Sequence, residues 1–157
     1  MNKEEPLSRL LGLILRIYKN RLTALLKENN ITLRPEQFMI LHELSVGEDL
    51  TQQDLSNHLQ KDKSIVLRQI ATLMEAGYVI RLQDKVDKRK KKLSLTKKGS
   101  DMLNKIEEIA QSLSEELIRG VSREEFIIFK RVITKMKENS GIEYESCDYW
   151  RKSIINK

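Results

Sequence analysis

Nine basic residues stand between Arg81 and Lys98: Arg81, Lys85, Lys88, Arg89, Lys90, Lys91, Lys92, Lys97 and Lys98. Two acids, Asp84 and Asp87, oppose them, so this window carries +7 while the whole chain carries +6. The remainder therefore sums to −1. A cationic excess this local is the footprint expected of a surface that meets a polyanion. Upstream lies a second set of hydrogen-bonding side chains, Gln52, Gln53, Lys63, Ser64 and Arg68, with the apolar Leu67 among them. Arginine can bond guanine through two parallel contacts, serine can bond a base or a phosphate, and leucine suits a thymine methyl.

Catalytic chemistry finds little support. The chain has no glycine-rich phosphate loop and no nucleophile elbow. His42 and His58 are its only histidines and sit on separate helical stretches, so a serine or cysteine nucleophile has no evident positioned base. They form no His-x-x-x-His pair, and Cys147 is remote in sequence, so neither a metal site nor a cofactor is expected. The paired carboxylates Glu107-Glu108, Glu115-Glu116 and Glu124-Glu125 read as solvated helix faces. The chain is read as a non-enzyme.

Composition sets the frame for these side chains. With 157 residues, 39% hydrophobic and 33% charged, the chain can bury a core without cross-links. Two prolines and six glycines argue against a sandwich of many short strands. One cysteine excludes an internal disulfide. The longest apolar stretch, Leu10 to Leu15, is far too short to span a bilayer and has acids before it, so a cytoplasmic protein is expected.

The elements follow from periodicity and caps. Pro6 opens a helix with apolar residues at three- and four-residue steps from Leu7 to Leu26, and Leu13, Leu15 and Ile17 add a second greasy side. Asn29-Asn30 stops it. Pro35 opens a second helix with Phe38, Leu41 and Leu44 inward, ending at Gly47. Thr51 caps a short third helix holding Leu55 and Leu59. Asp62 caps a fourth, with Val66, Ile70, Leu73 and Met74 inward and Gly77 as terminator. The period then changes: Tyr78, Ile80 and Leu82 alternate with Val79, Arg81 and Gln83, and Leu93 and Leu95 alternate with polar neighbours. Two strands thus flank a basic tip, 84–91. Thr96 caps a long helix with a seam at Leu103, Ile106, Ala110, Leu113 and Leu117. Ser122-Arg-Glu-Glu125 is a capping box for the last helix, which carries Phe126, Phe129, Ile133 and Met136.

Helix, short helix, helix, strand, basic loop, strand is the order of a winged helix-turn-helix. The fold class expected is mainly α with a small β-hairpin wing, flanked by N- and C-terminal helices. The fourth helix suits the major groove of a DNA duplex, presenting Lys63, Ser64, Leu67 and Arg68. Gln52 and Gln53 can reach phosphates through side chains or helix-terminal N–H groups. Arg89, at the wing tip between Lys88 and Lys90, can enter a narrow minor groove.

These stretches resemble the MarR family of bacterial transcription regulators. The matching residues are Gln37-Phe38-Met39-Ile40-Leu41, Leu50-Thr51-Gln52-Gln53-Asp54-Leu55, and Asp62-Lys63-Ser64 through Gly77. The most specific is the wing, Asp87-Lys88-Arg89 followed by Leu93-Ser94-Leu95-Thr96-Lys97-Lys98-Gly99. The likeness covers roughly residues 7–139. It implies a homodimer on a pseudo-palindromic operator, usually a repressor released by a small, often aromatic or phenolic, ligand. It implies that Asp87 orients Arg89. Ile65 and Leu67 depart from it, standing where the family commonly has small polar residues.

The expected organisation is a single MarR-like domain over 1–157. Residues 32–99 form the winged helix, 5–30 and 97–139 the dimerisation helices, and 140–157 a tail that Tyr144, Tyr149 and Trp150 anchor. The seam at 103–117 is expected between subunits. A ligand pocket is expected where the first, second and fifth helices meet the winged helix. The competing reading is a winged-helix protein-interaction module without specific DNA binding, since fold alone does not fix function.

Overall fold

A computed structural model describes residues 6–47, 49–83 and 91–141. Six helices and one hairpin follow in the order α1 (Leu7–Glu28), α2 (Pro35–Val46), α3 (Gln52–His58), α4 (Lys63–Glu75), β1 (Val79–Gln83), β2 (Lys91–Leu95), α5 (Lys97–Leu117) and α6 (Arg123–Asn139). The fold class is mainly α with a two-stranded antiparallel wing, as the sequence implies. Contacts divide the chain into two compact units, Met1–Leu113 and Ser114–Lys157.

The helix boundaries have local chemical causes. Asn30 adopts φ 57° just beyond α1, a left-handed position that asparagine tolerates. The Thr51 hydroxyl accepts the N–H of Asp54, whose carboxylate takes the Thr51 N–H at 2.8 Å. This reciprocal box starts α3. Asp62 Oδ1 accepts both the N–H of Ser64 at 2.7 Å and its hydroxyl at 2.5 Å, which starts α4. At its far end Gly77 turns to φ 76°, and the Tyr78 N–H donates to Leu73 O at 2.9 Å. That 6→1 bond closes a helix-ending motif that favours glycine.

The core of the first unit gathers the inward stripes. Phe38, Leu41 and Leu44 of α2, Leu55 of α3, and Val66, Ile70 and Leu73 of α4 are all buried. Removing such side chains from water is what holds the three helices together. Val79 and Leu93 add the root of the wing. Val79 pairs with Leu95 and Gln83 with Lys91, so the second strand begins one residue inside the expected loop 84–91.

One expectation needs correction, and the structure settles which face of β1 is inward. Leu103, Ile106, Ala110 and Leu113 of the α5 seam are buried within the single chain. The seam is therefore not the open face expected between subunits: heptad spacing marks a face for burial without saying which chain covers it. On β1 the alternating apolar residues Ile80 and Leu82 lie exposed, and Val79 on the other face is the buried one. A two-stranded wing covered on one side leaves its outer face open.

Apolar side chains remain uncovered in both units. On α1, Leu7, Leu10, Leu13, Ile14, Leu15 and Ile17 are exposed, and Leu26 alone is buried among the described residues of that helix. In the second unit α6 buries none of its residues, and Ile127, Ile128, Phe129, Val132 and Ile133 face solvent. The tail residues Tyr144, Cys147, Tyr149 and Trp150 lie outside the described residues. Among the described residues no helix is long and apolar enough to cross a membrane.

Candidate nucleic-acid interface

The wing is joined to the helix-turn-helix at one short stretch. The Leu93 N–H donates to Leu50 O at 2.8 Å, and Thr51 forms a single antiparallel bridge with Lys92. Lys92 Nζ meets Asp49 Oδ2 at 2.6 Å, and Asp49 holds φ 58° to make that turn. Thr51 thus serves twice, as the cap of α3 and as a partner of β2. The first turn of α3 is set beside the hairpin as a result.

A cavity of about 350 Å³ opens there, lined by Thr51, Gln52, Gln53, Lys63, Leu67, Arg81, Lys91 and Leu93. Four residues singled out in the sequence, Gln52, Gln53, Lys63 and Leu67, come together in it. Arg81 and Lys91 join them from the two strands. Sequence reasoning counted these two in the basic window without placing them at the site. The strand alternation carried the signal, since Arg81 shares the face of buried Val79. Lys63, Arg81 and Lys91 make no ion pair among the described residues. Three cations around one concavity, with no described carboxylate paired to them, leave a local positive field.

The remaining expected residues fall in different places. Arg68 is exposed on α4 and lines two further cavities along its other flank, likewise without an ion pair among the described residues. The Ser64 hydroxyl donates to Asp62, so its proton is engaged in the cap and its lone pairs remain to accept. In that geometry Ser64 suits an amino group on a base edge better than a phosphate oxygen, which offers no proton. Gln53 Nε2 donates to Asn57 Oδ1 at 3.0 Å along the exposed side of α3. Asp87, Lys88, Arg89 and Lys90 lie outside the described residues.

Supports beneath the surface fix its parts. His58 Nδ1 lies 3.1 Å from Glu43 Oε2, tying the end of α3 to buried α2. The Thr96 hydroxyl donates to Gly77 O at 2.7 Å and accepts the Gly99 N–H at 3.0 Å. Lys98 Nζ donates to Ala76 O at 2.7 Å and sits 4.9 Å from the centre of the Tyr78 ring. The carbonyls at the end of α4 are thus taken by the start of α5. Gly99 explains the spacing of the Leu-Thr-x-x-Gly run, because a Cβ there would run into the Tyr78 carbonyl.

The MarR family model matches residues 33–91, which contain the helix-turn-helix and the first residue of β2. Over these residues the chain is similar to the MarR family. Solved structures agree over a longer span. A MarR family protein from Bacillus stearothermophilus is 26% identical with a TM-score of 0.75, covering 85% of this chain and 92% of its own. Wild-type MarR of E. coli in its apo form is 23% identical at a TM-score of 0.72, covering 85% of this chain and 98% of that one. A MepR–DNA complex from S. aureus is 24% identical at a TM-score of 0.72, covering 88% and 99%. At the identities of the last two, the likeness concerns the MarR fold.

Proposed function

We propose that this protein is a homodimeric, sequence-specific DNA-binding transcription regulator. One observation carries the reading: Gln52, Gln53, Lys63, Leu67, Arg81 and Lys91 converge on one concavity whose cations have no ion pair among the described residues. Lysines and arginines so placed can neutralise phosphates and release their counterions, while the glutamines fix the docking. The DNA-bound MepR of similar fold supports a duplex as partner.

Arg68 and Leu67 on α4 read base edges, and Arg89, oriented by Asp87 and flanked by Lys88 and Lys90, enters the minor groove from the wing. The resemblance supports these wing roles. Dimerisation is supported by the open apolar residues of α1 and α6, which one chain leaves in water. Two copies would set two α4 helices about one DNA turn, roughly 34 Å, apart on a pseudo-palindrome. The family resemblance further supports repression relieved by a small aromatic or phenolic ligand.

Hydroxyl-radical footprinting of the genomic fragment beside its own gene tests the reading. Two protected half-sites about 10 bp apart are expected, and small phenolic compounds should lift the protection. Uniform cleavage even at high protein concentration would favour the protein-interaction module instead.

A further inference from the structure

The outward surface of α4 has a polar centre and two apolar flanks. Residues of a helix turn by 100° each, so Ser64 and Arg68 share one stripe, with Leu67 to one side and Ile65 to the other. The surroundings agree. Leu67 borders the cavity shared with Arg81, Lys91 and Leu93 of the wing. Ile65 borders a separate cavity of about 290 Å³ on the opposite flank, with Arg34, Lys61 and Arg68. Leu67 is 45% exposed and Ile65 41%, while Val66 between them is buried. Neither exposed side chain serves the core. Among the described residues each is ringed by three basic side chains, and Glu36 is the one acid in either lining. An apolar protein partner would leave those cations unmatched. A polyanion that also displays apolar groups matches both features, and in the major groove the thymine 5-methyl is that group.

We propose that α4 reads thymine methyls on both sides of its Arg68 contact, through Leu67 on the wing flank and Ile65 on the opposite flank. The operator half-site then places a guanine between two thymine positions. This rests on the DNA-binding reading above and adds the base composition that the site selects.

The test is selection of duplexes from a random library, followed by competition binding with the winners resynthesised with deoxyuridine for thymidine at single positions. Uracil lacks only the 5-methyl and keeps every hydrogen bond. Thymine should be enriched at two positions flanking a guanine, and each replacement should weaken binding about fourfold, the effect of uncovering one methyl-sized group. Leu67→Ala should abolish sensitivity to uracil at one position and Ile65→Ala at the other. The substituted DNA probes the wild-type protein, so the result does not hang on how a variant folds. Selected duplexes that bind equally well with uracil, within twofold, would overturn the proposal while leaving DNA binding intact. If no duplex is enriched over random DNA, the DNA-binding reading falls and this inference with it.

Discussion

Arg81 and Lys91 show how pairing register gathers charge at one place. Each sits on a strand, each borders the cavity at the start of α3, and neither has an ion pair among the described residues. As phosphate contacts they should behave alike: Arg81→Ala or Lys91→Ala should lower affinity for all sequences and reduce the salt slope by about one. Arg68→Ala should instead relax base preference at one position, costing about 1–3 kcal/mol for the preferred site. Competition binding against single-base variants separates the two patterns. Asp62 yields a pH prediction. The Ser64 hydroxyl, then the Ser64 N–H, hold its carboxyl below the ordinary aspartate value of 3.8. A carboxyl lowered by folding contributes stability above its unfolded value and loses it as pH falls through the folded one. The advantage of wild type over Asp62→Asn in thermal melts should therefore be full at neutral pH, begin to shrink below about pH 4, and vanish only as pH falls through the lowered folded value.

At the level of elements, much was legible because caps are local chemistry. Thr51, Asp62 and Gly77 mark the ends of α3 and α4 without reference to the rest of the chain, and the helices begin and end at them. What the sequence does not record is which surface covers which. The α5 seam is spaced for burial, yet its burial within one chain emerges only from the folded molecule. The site shows the same limit. Gln52, Gln53, Lys63 and Leu67 could be named from helix position, whereas Arg81 and Lys91 needed the register of β1 against β2. The joint between α4 and α5 was visible only as a motif, and its cause is steric. Gly99→Ala would press a methyl onto the Tyr78 carbonyl, backbone that cannot swing aside. It should cost about 1–3 kcal/mol in urea unfolding.

The whole molecule leaves apolar surface open in both of its units. Contiguous exposed apolar surface of this kind marks an association site. Phe129 is exposed on α6, so Phe129→Asp should spare the fold of the single chain. It should nonetheless shift sedimentation velocity from the dimer to the monomer mass, and weaken DNA binding because two half-sites are no longer held together.

The central claim is that the cationic concavity between α3, α4 and the wing docks on a DNA duplex. Fluorescence anisotropy across a salt series, on the fragment beside the protein's own gene, tests it most directly with wild type, Lys63→Ala and Arg81→Ala. The account predicts tight wild-type binding that falls steeply with salt, and a shallower slope with lower affinity for each variant. Binding that ignores salt, or variants with wild-type slope and affinity, would contradict it.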